Sequence, residues 1–413
     1  MTGHRTRARQ RLRWRRAGLV GTCFLLSGLL GPIWHVFSII LVDLEREFGG
    51  SRLDTSLAFS IFALSHALST PFLGRALVSF DSKRLMVALS LLLGLGLYLA
   101  ANATSLLQFY IAFGLVAGIG TQAFGSYFVF SLIANRIRSN TGTSMALADA
   151  GAGVGIFVGL PILHVIQEAD GWRGAFLTLA LVAALCGPLA HLFLLPKLRI
   201  PKRNSTENAA PKSRTALISG LLVLSMLLGT IVLQALQTHQ VAAFQYFGAA
   251  SSDAVLTVSI AGVTVFLSRL ATGLTIDRWG AGRTMAVAFL GAALSFLSLS
   301  MFAASQTGGW LLVYPLAFAI GFGSQGIIYA AQQRQLLTPR EFIHSLSLTR
   351  LSAGLGLFAG PMVGAATYEF FDGYNGMLVT LALIALAHFC IFFASLLPGR
   401  VASPGKRLPS DIR

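Results

Sequence analysis

Residues 147–161 read LADAGAGVGIFVGLP. Gly151, Gly155 and Gly159 recur every four residues, so on a helix they form a stripe without side chains that a second helix can approach closely. Just ahead of the stripe sits Asp149, a carboxylate in an otherwise apolar run. The pattern returns in residues 348–361, LTRLSAGLGLFAGP. At a constant offset of 201, residues 152–159 (AGVGIFVG) align with 353–360 (AGLGLFAG), and Asp149 aligns with Arg350. A repeated helix carrying opposite charges at one equivalent position implies a duplicated helical architecture whose copies differ where chemistry is expected.

Working outward, the 413 residues are 55% hydrophobic and only 11% charged, with a mean hydropathy of +0.72. Soluble domains carry about 25% charged residues, so a soluble globular protein is excluded. The apolar residues come in runs of about twenty, the length that crosses a hydrocarbon core of roughly 30 Å. Twelve such runs can be drawn, from 17–42 to 374–396. The expected fold is therefore all-α and integral to a membrane. A basic tail (1–16) precedes a six-helix half (17–195), a linker (196–214, PKLRIPKRNSTENAAPKSR), a second six-helix half (215–397) and a tail (398–413). The first apolar run is longer than the 7–15-residue core of a cleaved signal peptide, and it reads as the first membrane helix. Cys23, Cys186 and Cys390 lie far apart inside apolar runs, with no disulfide frame or metal-ligand spacing. No cofactor or metal is expected.

The net charge of +16 is a matter of topology rather than nucleic acid. With both tails, the central linker and the even-numbered connections on one side, that side holds 26 of the 31 Lys and Arg, and the other holds Arg46, Arg52 and Arg173. Arg269 and Arg350 lie inside spans. Such a split places both termini in the cytoplasm. Residues 118–122 (GIGTQ) repeat as 321–325 (GFGSQ), and 74–84 correspond to 273–283. Two parallel six-helix halves imply a binding site near the midplane between them, with rocking that alternates access.

The twelve runs, the 6+6 repeat, the basic central linker and GLTIDRWGAGR (273–283) resemble the major facilitator superfamily, whose loop signature G-x-x-x-D-R-x-G-x-R this matches with one extra residue. Asp277 and Arg278 fall on its gating pair. The first-half copy departs from the signature, with Val78 and Ser79 in place of Asp-Arg. Within the superfamily the chain most resembles the monocarboxylate porters, especially bacterial ones. The resemblance is carried by FSIILVDLEREFGGSRLDTSLAFS (37–60), YFVFSLIANRIRSNTGTSMALADAGAGVG (127–155), and THQVAAFQYFG (238–248) followed by SRLATGLTIDRWG (268–280). Oxalate/formate antiporter-like relatives stand close behind. The resemblance implies Arg269 as the arginine that holds a substrate carboxylate, His35 at a span-one substrate position and Tyr127 near a span-four contact. A family aspartate four residues before the arginine is absent, since Val265 stands there. The proton-coupling group must then lie elsewhere.

Charged groups inside bilayer spans are costly and face a cavity or a partner. Only Asp149, Arg269 and Arg350 qualify here. At 1.5 Å per residue, Asp149 and Arg269 lie about 12 and 10–11 Å in from the same membrane face. In the superfamily the fifth and eighth spans adjoin, which makes an Asp149–Arg269 pair geometrically reasonable. Arg269 offers a permanently charged planar fork for a carboxylate, against a purely structural ion pair. Asp149 is the candidate proton carrier: ionised when paired, and driven to the neutral form when unpaired and desolvated. A permanently paired latch is its alternative. Arg350 and His66 (the symmetry counterpart of Val265) are read as gating groups. Among imidazoles, which titrate near neutral pH, His35 and His239 are candidate substrate contacts, with hydrogen-bonded packing as the competing role. Gln122, Gln325, Tyr127, Gln234, Gln237 and Tyr329 suit a polar cavity or helix-to-helix hydrogen bonds. The glycine stripes are read as packing.

The expected function is secondary active transport of a small organic anion, monocarboxylate-like, by alternating access with proton symport. The expected setting is a bacterial cytoplasmic (inner) membrane, with the lipid bilayer, the anion and protons as partners, no nucleic acid, and a monomer. A drug exporter, an anion antiporter and a non-transporting sensor are the alternatives. An enzyme is not expected: no GxSxG, HExxH or paired carboxylates occur, and a P-loop is lacking.

Overall fold

A computed structural model describes residues 2–137, 141–198, 213–337 and 339–397. Most of the expected linker 196–214, and the expected tail 398–413, lie outside the described residues. Among the described residues thirteen α-helices follow one another: α1 (Thr2–Phe48), α2 (Arg52–Ser79), α3 (Ser82–Ala101), α4 (Leu106–Phe109), α5 (Gly118–Gly120), α6 (Ser126–Arg136), α7 (Thr141–Leu189), α8 (Ser213–Tyr246), α9 (Ser251–Ser305), α10 (Gly309–Phe322), α11 (Gln325–Leu336), α12 (Pro339–Phe370) and α13 (Tyr374–Ala394). A π-helical stretch, Tyr110–Ala117, joins α4 to α5. No β-strand occurs among the described residues.

Among the described residues, ten helical stretches are long and apolar enough to cross a membrane. Two of them are too long for one crossing: Ser144–Leu194 has 51 residues and Ser251–Ser305 has 55, roughly 75–85 Å at 1.5 Å per residue. Each is broken by a glycine with positive φ, Gly171 (φ 71°, ψ 177°) and Gly280 (φ 81°, ψ 164°). Residues with a Cβ rarely adopt that backbone conformation, so these two glycines turn the chain where a continuous helix would overshoot. Outward faces carry exposed leucines such as Leu181, Leu290 and Leu383, while Gln122, Gln234, Gln325 and His388 are buried. That inside-out distribution suits a hydrocarbon surround.

Two boundaries differ from the sequence reading. The first helix runs on to Phe48, past residue 42, where the first apolar run ends. Charges fix that extension: Glu45 pairs with Arg52, and Glu47 pairs with Arg173 and accepts from the Trp172 indole N–H at 2.5 Å. The second difference lies at the repeated GIGTQ and GFGSQ motifs, where both helices are interrupted. Thr121–Ala123 form a 3₁₀ turn, and Gly323 and Ser324 separate α10 from α11.

The glycine stripe packs as its spacing predicts. A Cβ on Gly151 would lie 1.8 Å from the Phe24 carbonyl oxygen, one on Gly155 would lie 1.9 Å from that of Gly28, and one on Gly159 would lie 2.4 Å from Pro32 Cγ. These glycines therefore seat α7 directly on the backbone of α1. Gly356 and Gly360 seat α12 on the backbone of α8 in the same way, and Gly364 meets the His239 ring. Gly153 points elsewhere and meets Gly262 of α9, its added Cβ falling 2.4 Å from the Gly262 carbonyl oxygen. Replacing Gly155 by Ala forces the helices apart, and a loss of roughly 1–3 kcal/mol is expected. Thermal unfolding in detergent measures it, with Gly220→Ala as the control: its added Cβ meets nothing within 4 Å. An unshifted melting temperature for Gly155→Ala contradicts the close packing.

Candidate functional site

A cavity of about 480 Å³ is lined by α1, α2, α6, α7, α8, α9, α10 and α12 together with Gln122 and Gly125. Its charged centre follows from helix geometry. α7 and the first limb of α9 touch at Gly153–Gly262. Asp149 lies four residues from that contact and Arg269 seven, both toward the same end, about 6 and 10 Å along the axes. Their side chains meet: Arg269 Nη1 donates to Asp149 Oδ2. Ser126 Oγ donates to the other carboxylate oxygen at 3.1 Å, and Arg269 Nε donates to the Gly323 carbonyl at 3.0 Å. The helix interruption at the GFGSQ motif supplies that acceptor, because the carbonyls at a helix end lack intrahelical partners. The pair is not sealed, with side chains 20% (Asp149) and 43% (Arg269) exposed. It remains partly solvated and open to exchange of partners.

Other predicted residues divide between the cavity and the packing. His35, His66, Gln122, Tyr127 and Gln237 line the cavity. His35 Nδ1 lies 3.0 Å from the Gly31 carbonyl oxygen, and His66 Nδ1 lies 2.8 Å from Thr121 Oγ1. The Gln122 amide donates to the His66 carbonyl at 2.6 Å and to Ser69 and Thr70 hydroxyls at 3.0 and 2.8 Å. Gln325 does not share this position. Its amide lies 3.4 Å from His388 Nε2, inside a buried cluster with Ser225 and Tyr329. His239 is also away from the cavity lining, fully buried, with Nε2 3.0 Å from the Pro361 carbonyl oxygen between α8 and α12. Arg350 is exposed on α12 beside Gly326, outside the lining. Asp277 and Arg278 are exposed just before the Gly280 turn. Trp34, Ser126, Gln240 and Phe266 line the cavity without having been singled out. The helical spacing of Phe266 ahead of Arg269 is the signal that could have found it.

One end of the molecule is tied across the N- and C-terminal parts by Arg52. Its guanidinium, 9% exposed, pairs with Glu45, donates to the Tyr374 hydroxyl and lies over the Tyr368 ring at 4.5 Å. The next residue, Leu53, donates its N–H to Glu369 at 2.7 Å. Contacts at the opposite end include ones within the N-terminal part: Asp81 pairs with Lys197, and Lys83 Nζ donates to the Leu192 carbonyl at 2.6 Å. Lys197 and the N–H groups of Lys83 and Arg84, which Asp81 caps at the start of α3, hold the Asp81 carboxyl below its ordinary pKa. Arg52→Ala is expected to loosen the tied end. Electron-spin distances between labels on the exposed residues Arg46 and Asp253 should lengthen and broaden, and unchanged distances would remove Arg52 as the tie.

Residues 23–338 match the family described as Major Facilitator Superfamily. The chain belongs to the Major Facilitator Superfamily. It is similar to monocarboxylate transporter 4 of Gallus gallus, 24% identical with 92% of this chain and 84% of that protein covered, and to monocarboxylate transporter 3 of Rattus norvegicus, 25% identical with 95% and 84% covered. Among solved structures, nucleoside transporter NupG superposes with a TM-score of 0.72 at 15% identity, covering 93% of this chain and 98% of that one. A bacterial homolog of the human lysosomal transporter Spinster, in an inward-facing and occupied conformation, gives 0.68 at 14% identity, covering 94% and 96%. At such identities the structures speak for the fold alone. These superfamily members are transporters, and this chain is a multi-pass membrane transporter rather than an enzyme. The two sequence relatives are vertebrate proteins, whereas the sequence reading pointed especially to bacterial porters.

Proposed function

We propose that the protein moves an organic monocarboxylate across a membrane by alternating access, in symport with a proton. The Asp149–Arg269 pair carries this reading: a guanidinium and a carboxylate joined across two helices, on the wall of an open cavity. The incoming carboxylate competes with Asp149 for Arg269, and Asp149 takes up a proton as it is displaced, because an unpaired buried carboxylate is costly. The similarity to monocarboxylate transporters supports the choice of anion. Twelve crossings follow if the stretches broken at Gly171 and Gly280 each cross twice. Two six-helix halves, 17–195 and 215–397, then rock about the α7–α9 and α2–α12 contacts. The Arg52 tie supports a reading in which the outer end is closed, the cavity faces inward and both termini are cytoplasmic. The protein acts as a monomer in a bacterial inner membrane, and Arg350, His66, Asp277 and Arg278 serve the gates.

The test is uptake of labelled lactate, pyruvate, oxalate and benzoate into proteoliposomes, with and without an inside-alkaline pH gradient. Saturable uptake of a monocarboxylate, driven above equilibrium by the gradient, is expected. Uptake of none of them, or uptake indifferent to the gradient, overturns the anion reading or the symport reading respectively.

A further inference from the structure

The cavity also constrains the body of the substrate, an inference that rests on the carboxylate reading above. Among the described residues lining it, Arg269 is the only guanidinium and Asp149 the only carboxylate. One substrate carboxylate can exchange with Asp149, but a second would be desolvated without a second permanently charged partner, since the other basic groups of the lining, His35 and His66, are imidazoles, and that cost disfavours dicarboxylates. The volume of about 480 Å³ falls among pockets that enclose ligands of drug size, about 300–1,000 Å³. An acid of two or three carbons would leave most of it wet.

The lining of α9 is one helical face: Val258, Ala261, Gly262, Val265, Phe266 and Arg269. Phe266 stands three residues before Arg269, so its backbone lies about 4.5 Å along the axis from that of Arg269 on the same side of the helix, and both residues line the cavity. Trp34 enters from α1 and is held in place, edge-on to His66 at 5.1 Å, Phe62 at 5.2 Å and Phe59 at 5.9 Å. Aromatic rings prefer edge-to-face or offset partners at such separations. A fixed indole and a ring one turn from the guanidinium favour a rigid unsaturated body over a short polar one.

We infer that the cargo is a monocarboxylate bearing an aromatic ring, its carboxylate on Arg269 and its ring against the wall formed by Phe266 and Trp34. Phe266 and Trp34 are then specificity-determining residues.

The full-length protein in proteoliposomes tests this with matched acids: lactate, 3-phenyllactate and phenylsuccinate. 3-Phenyllactate should half-saturate uptake at a concentration roughly 10-fold or more below lactate, the gain expected for burying a phenyl group. Phenylsuccinate should neither enter nor compete. Phe266→Ala should shrink the preference for phenyllactate to within about 2-fold, and Phe266→Leu, a milder change, should shrink it in part. Lactate transported as well as or better than phenyllactate, or a preference untouched by both variants, overturns the aromatic assignment while leaving the carboxylate reading intact. Transport of neither monocarboxylate overturns both.

Discussion

Arg269→Gln is expected to lower carboxylate uptake on the order of 100-fold, the scale set by removing one partner of a charge pair held in a partly desolvated site. The guanidinium serves two acceptors from separate nitrogens, the Asp149 carboxylate from Nη1 and the Gly323 carbonyl from Nε. Glutamine keeps the approximate length and a donor but loses the charge that attracts an anion. Arg269→Lys keeps the charge and loses the fork, because an ammonium is a compact point charge. It should fall between the two, with a raised half-saturation concentration. Initial rates in proteoliposomes, normalised to protein inserted, supply the measurement. Wild-type rates in Arg269→Gln would falsify the docking role.

Asp149→Asn separates coupling from binding. Asparagine can still accept the Ser126 hydroxyl through its carbonyl oxygen, so local geometry is retained, but it cannot carry a proton. Accumulation driven by a pH gradient should disappear while exchange of labelled for unlabelled acid persists. A second consequence runs in the opposite direction. With no carboxylate competing for Arg269, the substrate should bind more tightly, roughly 10-fold if the lost competitor was worth about 1.4 kcal/mol. Exchange assays yield both quantities from one preparation. Gradient-driven accumulation surviving in Asp149→Asn removes the residue from the coupling step.

Much of this centre was legible in the sequence because helix rise converts spacing into depth. Asp149 and Arg269 were placed at one level by counting residues, and the structure pairs them. The glycine stripe was equally readable, since spacing by four selects one helix face. Rotation about the helix axis was harder to read. In a membrane helix the outer face is apolar and the inner face mixed, so periodicity does not say which neighbour a polar side chain meets. Gln122 and Gln325 occupy equivalent motifs, yet the first turns to His66 on the cavity wall and the second to the buried His388. The difference lies in partners more than sixty residues away for Gln325, which no local pattern encodes. His239 shows the same limit: its acceptor is the carbonyl of Pro361, on another helix. Trp34 was missed for a related reason, since an aromatic ring in an apolar run gives no sign of whether it faces lipid or a cavity, whereas the spacing of Phe266 ahead of Arg269 puts it on the same helix face.

A cavity holding one guanidinium and one carboxylate has no net charge, and it keeps none when a monoanion and a proton enter together. Moving one elementary charge through 100 mV changes its free energy by about 2.3 kcal/mol. A carrier whose reorienting centre is neutral both empty and loaded is spared that term in either direction. Its turnover should not respond to membrane voltage. A cell that polarises its membrane without acidifying one side would gain no accumulation from this protein.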